Sequence, residues 1–210
     1  MLKFLIVDDH YIFRQGVIKI IAGSFPGAEF GEAENCADGF ALAIREIWDI
    51  AIIDINLPGR SGLDLIKDLK NSVNDIPILV LSIYEEDQLA LRALKAGANG
   101  YLTKGKAGNN LIDAINRILA GLQFITDTVA ELLAREYKKE GKTGLLNQLS
   151  DREYFTMLRL ASGESITQIS KTLSLSVKTI STYRTRIFRK LNLVNQTQLI
   201  EFVRDNVTAL

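Results

Sequence analysis

Five positions could do chemistry together. Asp8 and Asp9 close the apolar run "LKFLIV", Asp54 closes "IAIID", Ser82 closes "PILVLS", and Lys104 follows "NGYLT". Each run is rich in β-formers and stops at a polar residue, which places these groups at the ends of separate strands. Three carboxylates gathered at one edge repel one another and raise their own pKa values unless a cation lies among them. A hard divalent ion with oxygen ligands meets that need. Mg²⁺ suits it because it takes one or two carboxylates, keeps several waters and leaves room for phosphate oxygens. Lys104 would neutralise an anion arriving there and Ser82 would hydrogen-bond it. A lone Asp at a strand end is commonly a turn former or a helix N-cap. The force of the pattern lies in Asp-Asp, Asp, Ser and Lys following four different strands.

The elements that must position these groups show in the hydrophobic periods. Strands are expected at 2–7, 28–34, 50–54, 77–82 and 99–102. Helical spacing occupies 11–23, 36–47, 61–71, 86–96 and 109–120 between and after them. Such alternation predicts an α/β fold with a parallel sheet covered on both faces, and the unbroken apolar character of "IAIID" and "ILVLS" fits strands buried on two sides. Open sheets of this kind bind ligands at the C-terminal strand ends, where the five groups fall.

Composition narrows the field. The 210 residues are 47% hydrophobic and 24% charged, enough for one large domain or two small ones with real cores. Cys36 is the only cysteine and His10 the only histidine, which excludes internal disulfides, cysteine-rich metal sites and multi-histidine sites. No apolar run approaches about 18 residues and charge arrives at Asp8, so neither a membrane span nor a signal peptide is expected. Net charge is zero, yet it is unevenly placed. Residues 147–210 carry nine Lys/Arg against five Asp/Glu, leaving 16 against 20 in residues 1–146. A basic second part suggests nucleic acid as its partner.

That second part reads as short capped helices. A helix over 126–140 has Val129, Leu132, Leu133 and Tyr137 on one side and is broken by "GKTG" (141–144). "SDRE" (150–153) and "SITQ" (165–168) match the capping box, and Ser176 and Asn195 are plausible N-caps. Helices over 166–173 and 177–191 flank the turn "SLS". On the latter, Val177, Ile180, Ile187, Phe188 and Leu191 form an apolar stripe, with Lys178, Thr182, Thr185, Arg186 and Arg189 opposite. Cations for phosphates and small hydroxyls for base edges are what a helix needs in a major groove. Arg184 falls inside the stripe; its stem is expected to pack there and its head to pair with Glu153, unless Glu153 closes its own capping box.

Residues 1–121, through "IVDDH", "IIDINLPGRSGLDL", "VLSIYEE" and "KAGANGYLTK", resemble the receiver domain of two-component response regulators. That resemblance implies a flavodoxin-like (βα)5 fold with strand order 2-1-3-4-5. It makes Asp54 the phosphoacceptor, and gives Mg²⁺ to Asp8, Asp9, Asp54 and the backbone carbonyl of Asn56. Ser82 and Lys104 would contact the phosphoryl group, and Tyr101 matches the aromatic that changes rotamer with Ser82. Gly105 stands where the pattern often has Pro, which predicts a looser loop after Lys104. From "LSDREYFTMLRLASGESITQIS" through "VKTISTYRTRIFRKL" the chain resembles the LuxR-type helix-turn-helix of the NarL/FixJ family. This implies a four-helix all-α domain with 177–191 as recognition helix. Lys178, Thr179, Tyr183, Arg186 and Lys190 would meet phosphates, while Ser181, Thr182 and Thr185 face bases.

The expected organisation is a receiver domain at 1–121, a linker with a helix at 122–146, and a DNA-binding domain at 147–210. The expected function is a cytoplasmic transcription regulator, phosphorylated at Asp54 by a partner sensor histidine kinase and binding double-stranded DNA as a homodimer. Its own phosphotransfer and dephosphorylation would be its only catalysis. A second reading keeps the DNA-binding but makes it independent of phosphorylation, the receiver serving as an interaction surface. A third, an aspartyl phosphatase of the haloacid-dehalogenase type, needs a second Asp two residues after the nucleophile, where this chain has Asn56.

Overall fold

The computed structural model describes residues 1–72, 76–138 and 144–208, in two compact units, Met1–Ala130 and Glu131–Leu210. The first unit alternates β1 (Lys3–Val7), α1 (Tyr11–Ser24), β2 (Glu29–Ala33), α2 (Cys36–Arg45), β3 (Ile50–Asp54), α3 (Gly62–Asn71), β4 (Ile78–Ser82), α4 (Glu86–Ala96), β5 (Gly100–Thr103) and α5 (Ala107–Leu119). All pairings are parallel and the order is β2-β1-β3-β4-β5. The flavodoxin-like sheet expected from the sequence is therefore present, with element ends within two residues of those expected.

Every residue of β3 and β4 is buried, as their unbroken apolar runs require. Strand alternation sends Phe4, Ile6, Ile50, Ile52, Leu79 and Leu81 to one face, where Val17 and Ile21 of α1 and Leu111, Ile115 and Ile118 of α5 cover them. Each such side chain contributes roughly 1.5–3 kcal/mol by leaving water. Against the other face lie α2, α3 and α4. Segment 122–126, expected to open the linker, stays with the sheet: Phe124 bridges Gly100 beside β5, its amide donates to Asn99, and its ring joins the core.

Beyond α6 (Asp127–Lys138) the second unit contains α7 (Gly144–Asn147), α8 (Asp151–Ala161), α9 (Ile166–Thr172), α10 (Val177–Lys190) and α11 (Gln196–Val203). Of the expected break at 141–144, residues 141–143 lie outside what the structure describes, as do residues 139 and 140 and the Tyr137 side chain, while Gly144 opens α7. Both capping boxes form, Ser150 with Glu153 and Ser165 with Gln168, and Ser176 and Asn195 cap α10 and α11. α8 packs on α9, α10 and α11. Phe155, Met157, Ile169, Leu173, Ile180, Ile187, Leu191 and Leu199 are all buried. No described helix is long and apolar enough to cross a membrane.

Candidate functional site

Parallel pairing brings the C-terminal ends of β1, β3, β4 and β5 to one edge, and the side chains there converge. Lys104 Nζ donates to Asp8 Oδ2 and to Asp54 Oδ2, both at 2.7 Å. All three side chains are at least nine-tenths buried. The Asn56 amide donates to Asp54 Oδ1 at 3.0 Å, and the His10 amide to Asp8 Oδ1 at 2.8 Å. Lys104 opens a short 3₁₀ turn, Lys104–Lys106, leading directly into α5. That turn orders the segment that the glycine after Lys104 was expected to loosen. The ammonium also lies 4.4 Å from the centre of the Phe13 ring.

Charge at the edge is not balanced. Three carboxylates face one ammonium, a surplus of two negative charges when His10 is neutral. Burial raises the Asp54 pKa; the Lys104 charge opposes that and Asp8 adds to it, leaving the net shift upward. Burial also pulls the Lys104 ammonium down, but Asp54 and Asp8 outweigh it and its pKa lies above the ordinary lysine value. Asp9 Oδ1 is buried without a hydrogen-bond partner among the described groups. Ligand atoms of Asp8, Asp9, His10 and Asp54 all lie within 4.8 Å of one another. A buried carboxylate oxygen that makes no hydrogen bond and a double negative surplus fit a divalent cation. His10 was not expected here, and its place beside Asp-Asp in the sequence was the one available signal.

Ser82 and Tyr101 meet at a shared residue. The Tyr84 amide donates to Ser82 Oγ at 3.2 Å, while the Tyr101 hydroxyl donates to the Tyr84 carbonyl at 2.7 Å. Tyr101 is 1% exposed and Ser82 fully buried. Behind the acidic edge Arg14, also buried, donates from Nη1 to the Asp8 carbonyl at 2.6 Å and holds Glu32 at 2.7 Å and Glu34 at 2.9 Å. Sequence reasoning missed Arg14 because its partners come from β2 and the loop after it.

In the second unit α10 exposes Lys178, Thr182, Thr185, Arg186 and Arg189, with Thr179, Ser181 and Tyr183 half-buried. Thr182 and Thr185 donate their hydroxyls to the carbonyls of Lys178 and Ser181, and Thr179 meets Ser176 at 2.8 Å. Two expectations are corrected. Val177 is 48% exposed, so the apolar stripe begins at Ile180. Arg184 does not pair with Glu153; its guanidinium lies 4.7 Å from the centre of the Phe188 ring, exposed on its own helix. Glu153 closes its capping box and accepts from Lys190 Nζ at 2.6 Å, and that ammonium also donates to the Gln148 carbonyl at 2.9 Å. Lys190, read as a phosphate contact, is thus engaged inside the unit.

Comparison with known proteins bears on both halves. Residues 4–116 match the response regulator receiver domain, and 147–203 match the bacterial regulatory proteins of the luxR family. The response regulator GacA of Pseudomonas aeruginosa is 34% identical over 200 residues, 95% of this chain and 94% of that protein. The response regulator UvrY of Escherichia coli K12 is 32% identical over 95% of this chain and 92% of its own. A solved structure of two RcsB dimers bound to two parallel DNAs superposes with a TM-score of 0.58 at 25% identity, covering 98% of each chain.

Proposed function

Because the chain belongs to the two-component response regulators that join a receiver domain to a luxR-family DNA-binding domain, we propose that Asp54 is its phosphoacceptor and that α10 reads DNA. One observation carries the first half: Lys104 bridges Asp8 and Asp54 at 2.7 Å while Asp9 keeps a buried oxygen without a hydrogen bond beside them.

Asp8, Asp9, Asp54 and the Asn56 carbonyl would hold Mg²⁺, which when bound supplies positive charge to the phosphoryl oxygens. The chain's own groups do the rest. Asp54 attacks phosphorus, forming an O–P bond as the bond from phosphorus to the donor histidine nitrogen breaks. Lys104, held between Asp8 and Asp54, turns toward the equatorial oxygens and balances charge in the transition state. Ser82 turns from the Tyr84 amide to a phosphoryl oxygen. Tyr84 then loses its tie to Ser82, and the residue whose carbonyl accepts the Tyr101 hydroxyl is less firmly held; the chemistry at Asp54 becomes a change in the β4–α4 loop. Autophosphotransfer and dephosphorylation are the only reactions in this scheme.

For the second half, Lys178, Thr179, Tyr183, Arg186 and Arg189 meet phosphates, and Ser181, Thr182 and Thr185 face the bases. Lys190 anchors α10 on α8. A sensor histidine kinase is the phosphodonor, the compartment is the cytoplasm, and a homodimer sets two copies of α10 in successive major grooves, as the RcsB dimers on DNA suggest. The chain incubated with Mg²⁺ and a small acyl-phosphate donor is expected to gain one phosphoryl group by intact mass, and Asp54→Asn none. Equal labelling of that variant would overturn the acceptor assignment.

A further inference from the structure

We infer that His10 is a ligand of the divalent ion, so that the site presents an imidazole nitrogen among its oxygens and prefers Mn²⁺ or Co²⁺ to Mg²⁺ more than an all-oxygen site would. This rests on the proposal that the acidic edge holds a divalent ion. The position of Nδ1 carries it. Nδ1 lies 2.9 Å from Asp9 Oδ1, 3.3 Å from Asp8 Oδ1 and 3.9 Å from Asp54 Oδ2. Donors around one octahedral ion at about 2.1 Å stand about 3.0 Å apart when adjacent and about 4.2 Å when opposite. All three distances sit close to or within that span.

Two further features favour ligation over a simple contact. Despite its 2.9 Å approach to His10, Asp9 Oδ1 has no hydrogen-bond partner, as two donors turned toward a common point would leave it. The His10 amide is tied to Asp8 Oδ1 at 2.8 Å, which fixes the residue at the rim of the acidic edge. Nitrogen donors raise affinity for later first-row ions far more than for Mg²⁺, which is hard and favours oxygen.

Because His10 is the only histidine, any imidazole signal from the untagged chain has one source. With Mn²⁺ bound to full-length protein, electron spin echo modulation is expected to show directly coordinated ¹⁴N that His10→Gln removes. That variant should bind Mn²⁺ about tenfold more weakly, while its Mg²⁺ affinity stays within about twofold. Circular dichroism checks that the variant is folded. If Mn²⁺ binds, Asp9→Asn weakens it, yet no ¹⁴N appears or His10→Gln binds as tightly or more tightly, His10 is no ligand and the carboxylate site stands. Mn²⁺ binding indifferent to Asp9→Asn overturns both.

Discussion

Two buried carboxylates meet the cost of burial in opposite ways. Asp54 shares one ammonium with Asp8, and its pKa is raised; Glu153 has an ammonium and a capped amide, and its pKa is lowered although burial pushes the other way. A lowered carboxylate pKa means that ionised Glu153 stabilises the fold above its ordinary value of 4.5, and that this contribution vanishes as pH falls through the lower folded value. Lys190→Met removes the partner and leaves the charge nearly buried. It is expected to cost about 1.5–3 kcal/mol at pH 7, the range for hydrogen bonds to charged groups. That cost should shrink below pH 4.5 as Glu153 takes up a proton. Denaturant midpoints at pH 7 and pH 3 measure both ends, and an undiminished loss at pH 3 would exclude the ion pair as its source. The capping box was legible in "SDRE" because it is local. The Lys190 partnership was not, because it depends on how α10 crosses α8, and a one-helix projection offered Arg184 instead.

At the scale of elements, the two hydrophobic periods located every strand and helix around the acidic edge, since burial on two faces leaves β3 and β4 no polar positions before their last residues, Asp54 and Ser82. What they left unread were contacts across loops: the Tyr84 bridge between Ser82 and Tyr101, and the tie from Phe124 to β5. A further loop contact sets how α3 begins. The Gly62 amide donates to the Ile55 carbonyl at 2.8 Å, and a Cβ on Gly62 would collide with the Asp54 carbonyl oxygen and the Ile55 backbone. Backbone atoms cannot swing aside as a flexible side chain can. Gly62→Ala is therefore expected to destabilise the first unit by about 1–3 kcal/mol, the usual range for overpacking. It should also weaken Mg²⁺ binding, because the displaced strand end carries Asp54 and leads to Asn56. A lower thermal midpoint with Mg²⁺ affinity unchanged would show that α3 shifts and leaves the acidic edge in place.

Across the whole molecule the sequence separates charge by task, four net negative charges in residues 1–146 and four net positive in 147–210. Neutralising a DNA phosphate releases condensed counterions, so each cation that meets the backbone adds about one to the slope of log affinity against log salt. Lys178 and Arg186 are exposed on α10, whereas the Lys190 ammonium is spent on Glu153 and Gln148. Lys178→Ala and Arg186→Ala should each lower that slope by about one and weaken binding to all sequences alike. Lys190→Met should leave the slope unchanged once the protein is held below its unfolding midpoint. Base discrimination should instead fail with Thr182→Ala or Thr185→Ala, at about 1–3 kcal/mol per misread pair. Titrations of cognate and scrambled duplexes at several salt concentrations separate these effects. If Lys190→Met lowered the slope as Arg186→Ala does, the ammonium would have to leave Glu153 on binding, and the second unit's ion pair would be a contact that DNA breaks.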